Sequence, residues 1–144
     1  MAYNICKDRK DNLWVCSESG LFRGIPDNTG QYGWENISNK LNTGKVNFIS
    51  LFNDRTGQIW AGTYGGGVYR INTDNLSFRK FTAPGDLNDN NVISISGNDS
   101  LIWFSTLGGG VSCYNINESG FVKFQYPELN NSYIYSTKSD KSGK

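Results

Sequence analysis

Three times along this chain a polar turn opening on Asp or Asn runs into a tryptophan, at a nearly constant interval. Residues 8–14 read DRKDNLW, residues 54–60 read DRTGQIW and residues 98–103 read NDSLIW. Trp14, Trp60 and Trp103 stand 46 and 43 residues apart. After each comes a small-residue stretch, a glycine turn and a strand-like run: CSESGLFRGI from Cys16, GTYGGGVYRIN from Gly62 and STLGGGVSCYNI from Ser105. A short aromatic segment follows (WENI, FRKF, FVKF), and then a polar connection into an apolar run: VNFISL from Val46, VISIS from Val92 and SYIYS from Ser132. Each unit holds four short strands, and a recurrence of that length is the signature of a propeller blade.

Composition agrees with this. Aromatics make up 14% of the chain, with 17 glycines and only 3 prolines. Aromatic and β-branched side chains fit a pleated surface, while Gly, Asn and Asp serve the turns. No stretch keeps apolar residues at helical spacing for three turns, so no long amphipathic helix is expected. The expected fold is all-β: a partial β-propeller of three four-stranded antiparallel blades plus one extra strand. The blades are expected over residues 1–37, 38–82 and 83–126, with residues 127–144 forming a connection and the first strand of a further blade. Strand A is expected at 3–7, 46–53, 92–97 and 132–136, and strand B at 13–17, 58–63 and 101–106. Strand C is expected at 21–25, 67–72 and 110–116, and strand D at 34–37, 77–82 and 121–126. Residues 140–144 match residues 54–58 in phase. Three blades do not close a ring, because propellers typically need four to eight. The expectation is a piece of a longer propeller, completed by further blades of the same polypeptide, the alternative being completion by a second copy of the chain.

The run DRTGQIWAGTYGGGVYR at residues 54–70 resembles the two-component regulator propeller repeat. The third copy keeps the tryptophan, Thr106 and the glycine run, with Ser105 at the first small position. The first copy departs most: Asp11 replaces the turn glycine, Cys16-Ser17 replaces Gly-Thr, and Gly20 alone remains of the glycine run. The resemblance implies part of the periplasmic sensor of a hybrid two-component histidine kinase, a receptor that senses oligosaccharides and switches on glycan-use genes. It also implies a periplasmic location on a membrane-anchored receptor. No signal peptide is visible at Met1-Ala2-Tyr3-Asn4.

Several functions are disfavoured by the residues themselves. The chain has no histidine, which removes Ser-His-Asp and Cys-His catalysis and His-ligated metals. Its 14 Lys plus Arg against 13 Asp plus Glu offer no basic excess for nucleic acid. No apolar run approaches the ~18 residues of a membrane span, so direct membrane contact by this segment is not expected. Glycosidase chemistry needs two matched carboxylates on one cleft, and Asp86, Asp89, Glu18 and Glu35 show no such pattern. The segment is expected to be non-enzymatic, without cofactor or metal.

Trp14, Trp60 and Trp103 repeat in every unit, which favours packing between blades over sugar stacking. Asp8 and Asp54 each stand alone, so capping of the A–B turn is a better account than calcium. Gly65-Gly66-Gly67 and Gly108-Gly109-Gly110 lead into a strand and not a helix, so positive φ in a hairpin is favoured over a phosphate cradle. Cys6 and Cys16 could face each other across one hairpin as a disulfide, leaving Cys113 single; three buried small residues is the favoured alternative. In a propeller the B–C and D–A connections share the face where ligands enter. Tyr64 is the first candidate for ligand binding, being aromatic, at a turn and not repeated. Asn88, Asp89, Asn90 and Asn91 come next, with Glu18 and Leu107 at the other B–C tips.

Overall fold

The computed structural model describes residues 1–123, 128–129, 132–136 and 138. In chain order the strands are β1 (Ala2–Lys7), β2 (Leu13–Ser17), β3 (Gly20–Pro26), β4 (Tyr32–Asn36), β5 (Asn47–Asn53), β6 (Ile59–Tyr64), β7 (Val68–Ile71), β8 (Phe78–Phe81), β9 (Val92–Gly97), β10 (Leu101–Thr106), β11 (Val111–Asn115) and β12 (Gly120–Val122). They form three antiparallel four-stranded sheets, β1-β2-β3-β4, β5-β6-β7-β8 and β9-β10-β11-β12, each an uninterrupted meander. Each repeat unit therefore makes one sheet, and among the described residues the three sheets stand as propeller blades that do not close into a ring.

The A–B turns follow from the repeated Asp and the residue three positions on. Gly57 takes φ +84°, and Asp11, which stands in its place in the first unit, takes φ +63°. Asp is one of the few residues that tolerate this region. Asp8 Oδ1 accepts from the Lys10 and Asn12 amides, and Asp54 Oδ1 from those of Thr56 and Gln58. In the third unit Asn98 Oδ1 does the same for Ser100 and Leu101.

Directly paired residues share a face of a sheet, so the register divides the side chains between the two joints. Trp14, Cys16 and Leu21 of the first sheet pack with Ile59, Ala61, Tyr69 and Ile71 of the second. Trp60, Val68 and Phe81, on the second sheet's opposite face, pack with Ile102, Phe104 and Tyr114 of the third. Packing on both faces explains why β6 is buried continuously from Ile59 to Thr63, without alternation.

The ends of the first and third units depart from expectation. Strand D of the first unit spans Tyr32–Asn36, not 34–37, and Ile37 opens a short helix, α1 (Ile37–Leu41). Asn36 caps that helix by accepting from the Asn39 amide, and Asn42 at φ +53° ends it. Ile37 and Leu41 are buried in the first joint, so a tertiary contact stabilises a helix too short to persist alone. Of the strand expected at 132–136, the described residues show one bridge, Leu107 to Tyr133. Residues 124–126 of the last D strand, and the repeat match at 140–144, lie outside the described residues.

Candidate functional site

The glycine runs tie the B–C tips to the connections that enter the next sheet. Thr63 Oγ1 donates to the Gly67 carbonyl at 2.7 Å and accepts from the Gly66 amide at 2.9 Å. Thr106 does the same with Gly110 and Gly109, at 2.8 and 3.2 Å. The flanking amides point outward to the following connection. Gly65 and Gly67 both donate to the Asn90 carbonyl, and Gly108 and Gly110 both donate to that of Ser132. These amides hold protein carbonyls, so the runs serve geometry and not a phosphate.

Gly65, Gly67, Gly108 and Gly110 have the expected positive φ. The central Gly66 and Gly109 do not, and a different constraint applies there. A Cβ at Gly66 would stand 2.9 Å from Thr63 Oγ1, and one at Gly109 would stand 2.7 Å from the Asn88 backbone. Close approach, which the sequence did not reveal, requires glycine at the centre of each run.

These bonds bring several candidate residues onto one face. Tyr64, at the end of β6, is 59% exposed. Leu107 occupies the same place one sheet on, and its amide donates to the Asn91 carbonyl. Between the two tips lie Asp89, whose Oδ1 accepts from the Asn91 amide at 2.7 Å, and Asn91, whose side-chain oxygen approaches Gly65. Tyr133, exposed and bridged to Leu107, extends the row. The other two asparagines are engaged locally. Both polar atoms of the Asn90 amide bond Ala83, and Asn88 Nδ2 reaches the Val111 carbonyl at 3.3 Å. Glu18 marks the tip of the first sheet, where it pairs with the Met1 amine at 2.5 Å. It lines a cleft of about 330 Å³ with Ser19, Asn39, Lys45 and Asn47. A wider cleft of about 740 Å³ lies on the flank between the second and third sheets, walled by Phe81, Tyr114 and Phe121.

The repeated Asp and Trp residues belong to the joints. Asp8 Oδ2 accepts from Trp14 Nε1 at 2.8 Å, and Asp54 Oδ2 from Trp60 Nε1 at 2.8 Å. Trp14 and Trp60 are fully buried. Burial pushes the Asp54 carboxyl up, but hydrogen bonds from Thr56, Trp60 and Gln58 and the charge of Arg70 outweigh it, leaving Asp54 below the ordinary carboxylate value. Asp8 is lowered in the same way, with Trp14 and Asn12 as its chief donors. Trp103 is half-buried on the face turned away from the second sheet. The same Asp-to-Trp interval recurs in the first two units, but the interval alone signals turn capping and not this carboxylate–indole bond.

Glu35 and the three thiols among the described residues are engaged or at least partly buried. Glu35 is held by Arg23 and Lys40. Cys6, Cys16 and Cys113 are free thiols. Burial pushes them up to about 12, 11 and 11, so they are poor nucleophiles near neutral pH. Among the described residues, no group of three or more His, Cys, Asp or Glu could hold a metal ion.

The family model described as two component regulator propeller matches residues 40–65. No curated protein matches the chain. The extracellular domain of the hybrid two component system BT3049 from B. thetaiotaomicron superposes with TM-score 0.72 at 20% identity, over 99% of this chain and 19% of that one. That of BT4673 from the same organism gives 0.68 at 20% identity, over 99% and 21%. Virginiamycin B lyase from Staphylococcus aureus gives 0.62 at 18% identity, over 85% and 40%. At such identities the likeness establishes the propeller fold. The chain spans about a fifth of the two sensor domains and less than half of the lyase.

Proposed function

We propose that this chain, which carries a two-component regulator propeller repeat, is part of the extracytoplasmic sensor of a hybrid two-component histidine kinase, and that its tip face receives an oligosaccharide. The observation that carries the ligand reading is the row of tips, where the connection bearing Asp89 and Asn91 is hydrogen-bonded to the tip that carries the exposed Tyr64. Sugars are bound by stacking on aromatic rings and by hydrogen bonds to amides and carboxylates, and this row offers both. No bond is broken. Binding shifts the receptor between two arrangements by its differential affinity for them, and the kinase reads the shift.

The test is calorimetry of the intact sensor containing this segment against a panel of neutral and acidic oligosaccharides. One class is expected to bind, and Tyr64→Ala to weaken it about 2- to 10-fold, the worth of an aromatic contact of about 0.5–1.5 kcal/mol. An intact sensor that takes up no glycan overturns the reading, and an unchanged Tyr64→Ala variant moves the site off this row.

Two other readings have some support. A structural or protein-interaction module is favoured by the uncovered apolar face of the first sheet. The lyase likeness rests on fold alone. A histidine-to-alanine variant of virginiamycin B lyase is described as catalytically inactive, and this chain has no histidine. Chemistry of that kind would need residues from outside this chain, and turnover of a substrate by the intact protein would establish it.

A further inference from the structure

Both joints between sheets are made by the same pair of side chains, a tryptophan and an arginine. In the first, the Arg23 guanidinium lies 5.4 Å from the Trp14 ring and donates to the Thr73 carbonyl of the second sheet's unit at 2.8 Å. In the second, Arg70 lies 5.1 Å from Trp60 and 5.5 Å from Tyr114, and reaches the Tyr114 hydroxyl of the third sheet at 3.3 Å. A strand-B tryptophan and its directly paired strand-C arginine are thus pressed onto the following sheet.

The register also identifies the surface that receives them. It runs through Ile59, Ile71 and Phe78 in the second sheet, and through Ile102, Tyr114 and Phe121 in the third. The corresponding line in the first sheet is Leu13, Gly24 and Trp34. Here the middle residue is a glycine, and the Trp34 indole lies where Ile71 and Tyr114 carry side chains: a Cβ at Gly24 would stand 2.9 Å from the ring. No described residue covers this face. Trp34 is 54% exposed, and Ile5 is 58% exposed where its counterpart Leu51 is 5%.

We propose that this open face is the receiving half of a third joint, and that its occupant is a preceding blade presenting a strand-B tryptophan and a strand-C arginine, whose guanidinium stacks on Trp34. This face continues the register of the two joints position by position, which selects that occupant. A sugar fits less well, because apart from Tyr32, whose ring centroid lies 6.0 Å from that of Trp34, this face carries Leu13, Val15 and Phe22, whose side chains offer apolar surface and no hydrogen bonds. An indole half open to water is a favourable seat for a weakly hydrated guanidinium.

The test extends the chain at its N-terminus with a second copy of residues 46–91, which carries Trp60 and Arg70 and their natural connection. The extended chain is expected to unfold at a higher urea midpoint than the chain itself. A fluorine label on Trp34 is expected to lose its response to solvent exchange. Removing Trp60 and Arg70 from the added copy alone should return both readings to those of the original chain. Trp34→Asp should lower the midpoint of the extended chain and leave that of the original chain nearly unchanged. An extended chain with no gain in midpoint overturns the proposal, whether or not the added copy folds. So does a Trp34 label that shifts when an oligosaccharide is added to the original chain, which would make this face a sugar platform.

Discussion

Asp54 shows how a single residue can hold a joint together. Its side chain is fully buried, yet it accepts from an indole, a hydroxyl and two backbone amides, with Arg70 at 3.3 Å. Those partners favour the ionised form and leave the folded-state pKa below the unfolded value of about 3.9. The stabilisation is therefore fully present above about pH 4 and is lost as pH falls through the lowered folded value. Asp8 and Glu35 are shifted the same way and act in the same window. We expect the urea midpoint to be flat between about pH 5 and 7 and to fall below about pH 4. Asp54→Asn should make that fall shallower while lowering the plateau, because an amide cannot accept as the carboxylate does. An Asp54→Asn variant with the wild-type pH slope would show that the carboxylate is not the titrating group. The capping role was legible from the Asp and its spacing to the turn. The bond to the indole was not, because only the folded hairpin brings residues 54 and 60 side by side.

At the scale of the element, the B–C tips show why three consecutive glycines occur together. Gly67→Ala would force a Cβ at φ +76° and into the Phe81 carbonyl. Gly44, at φ +69° with nothing within 4 Å of its would-be Cβ, isolates the backbone cost. Gly44→Ala should therefore lower stability by about 1–2 kcal/mol, and Gly67→Ala by clearly more, in chemical denaturation. Equal losses would mean that the approach of Phe81 carries no weight. The first unit keeps Gly20 alone and solves the same problem differently. Ser38 on α1 accepts from the Leu21 amide at 2.7 Å, joining tip to connection through a side chain. Neither α1 nor this substitution was legible. Ile37-Ser38-Asn39-Lys40-Leu41 has too few residues for helical periodicity, and it is helical because Ile37 and Leu41 find cover in the joint.

For the molecule as a whole, the two apolar cores are separate, one in each joint. Each sheet touches its neighbours alone, as in other linear repeat architectures. Trp14→Ala and Trp60→Ala are each expected to cost about 3–5 kcal/mol, the range for deleting a buried tryptophan. Sitting in different cores, they should add within about 0.5 kcal/mol in the double variant, read by denaturant titration. Strong non-additivity would mean that the two joints act as one core. Trp103→Ala should cost less than either in this chain, because Trp103 is only half-buried.

The sequence by itself determined the all-β class, the three units, the turn residues and the strand that carries each tryptophan, because all of these are local: a period, a pleat and the backbone angles that Gly and Asp allow. It also pointed to Tyr64, Asp89, Asn91 and Leu107. Only the tertiary structure decided which of these stand together, since the amides of Gly65 and Leu107 select the Asn90 and Asn91 carbonyls across a gap in sequence that no local pattern encodes. It alone decided, too, that Trp14 and Trp60 are sealed while Trp34 lies open. An indole is buried or exposed by what the neighbouring sheet places on it, and that neighbour is remote in the chain.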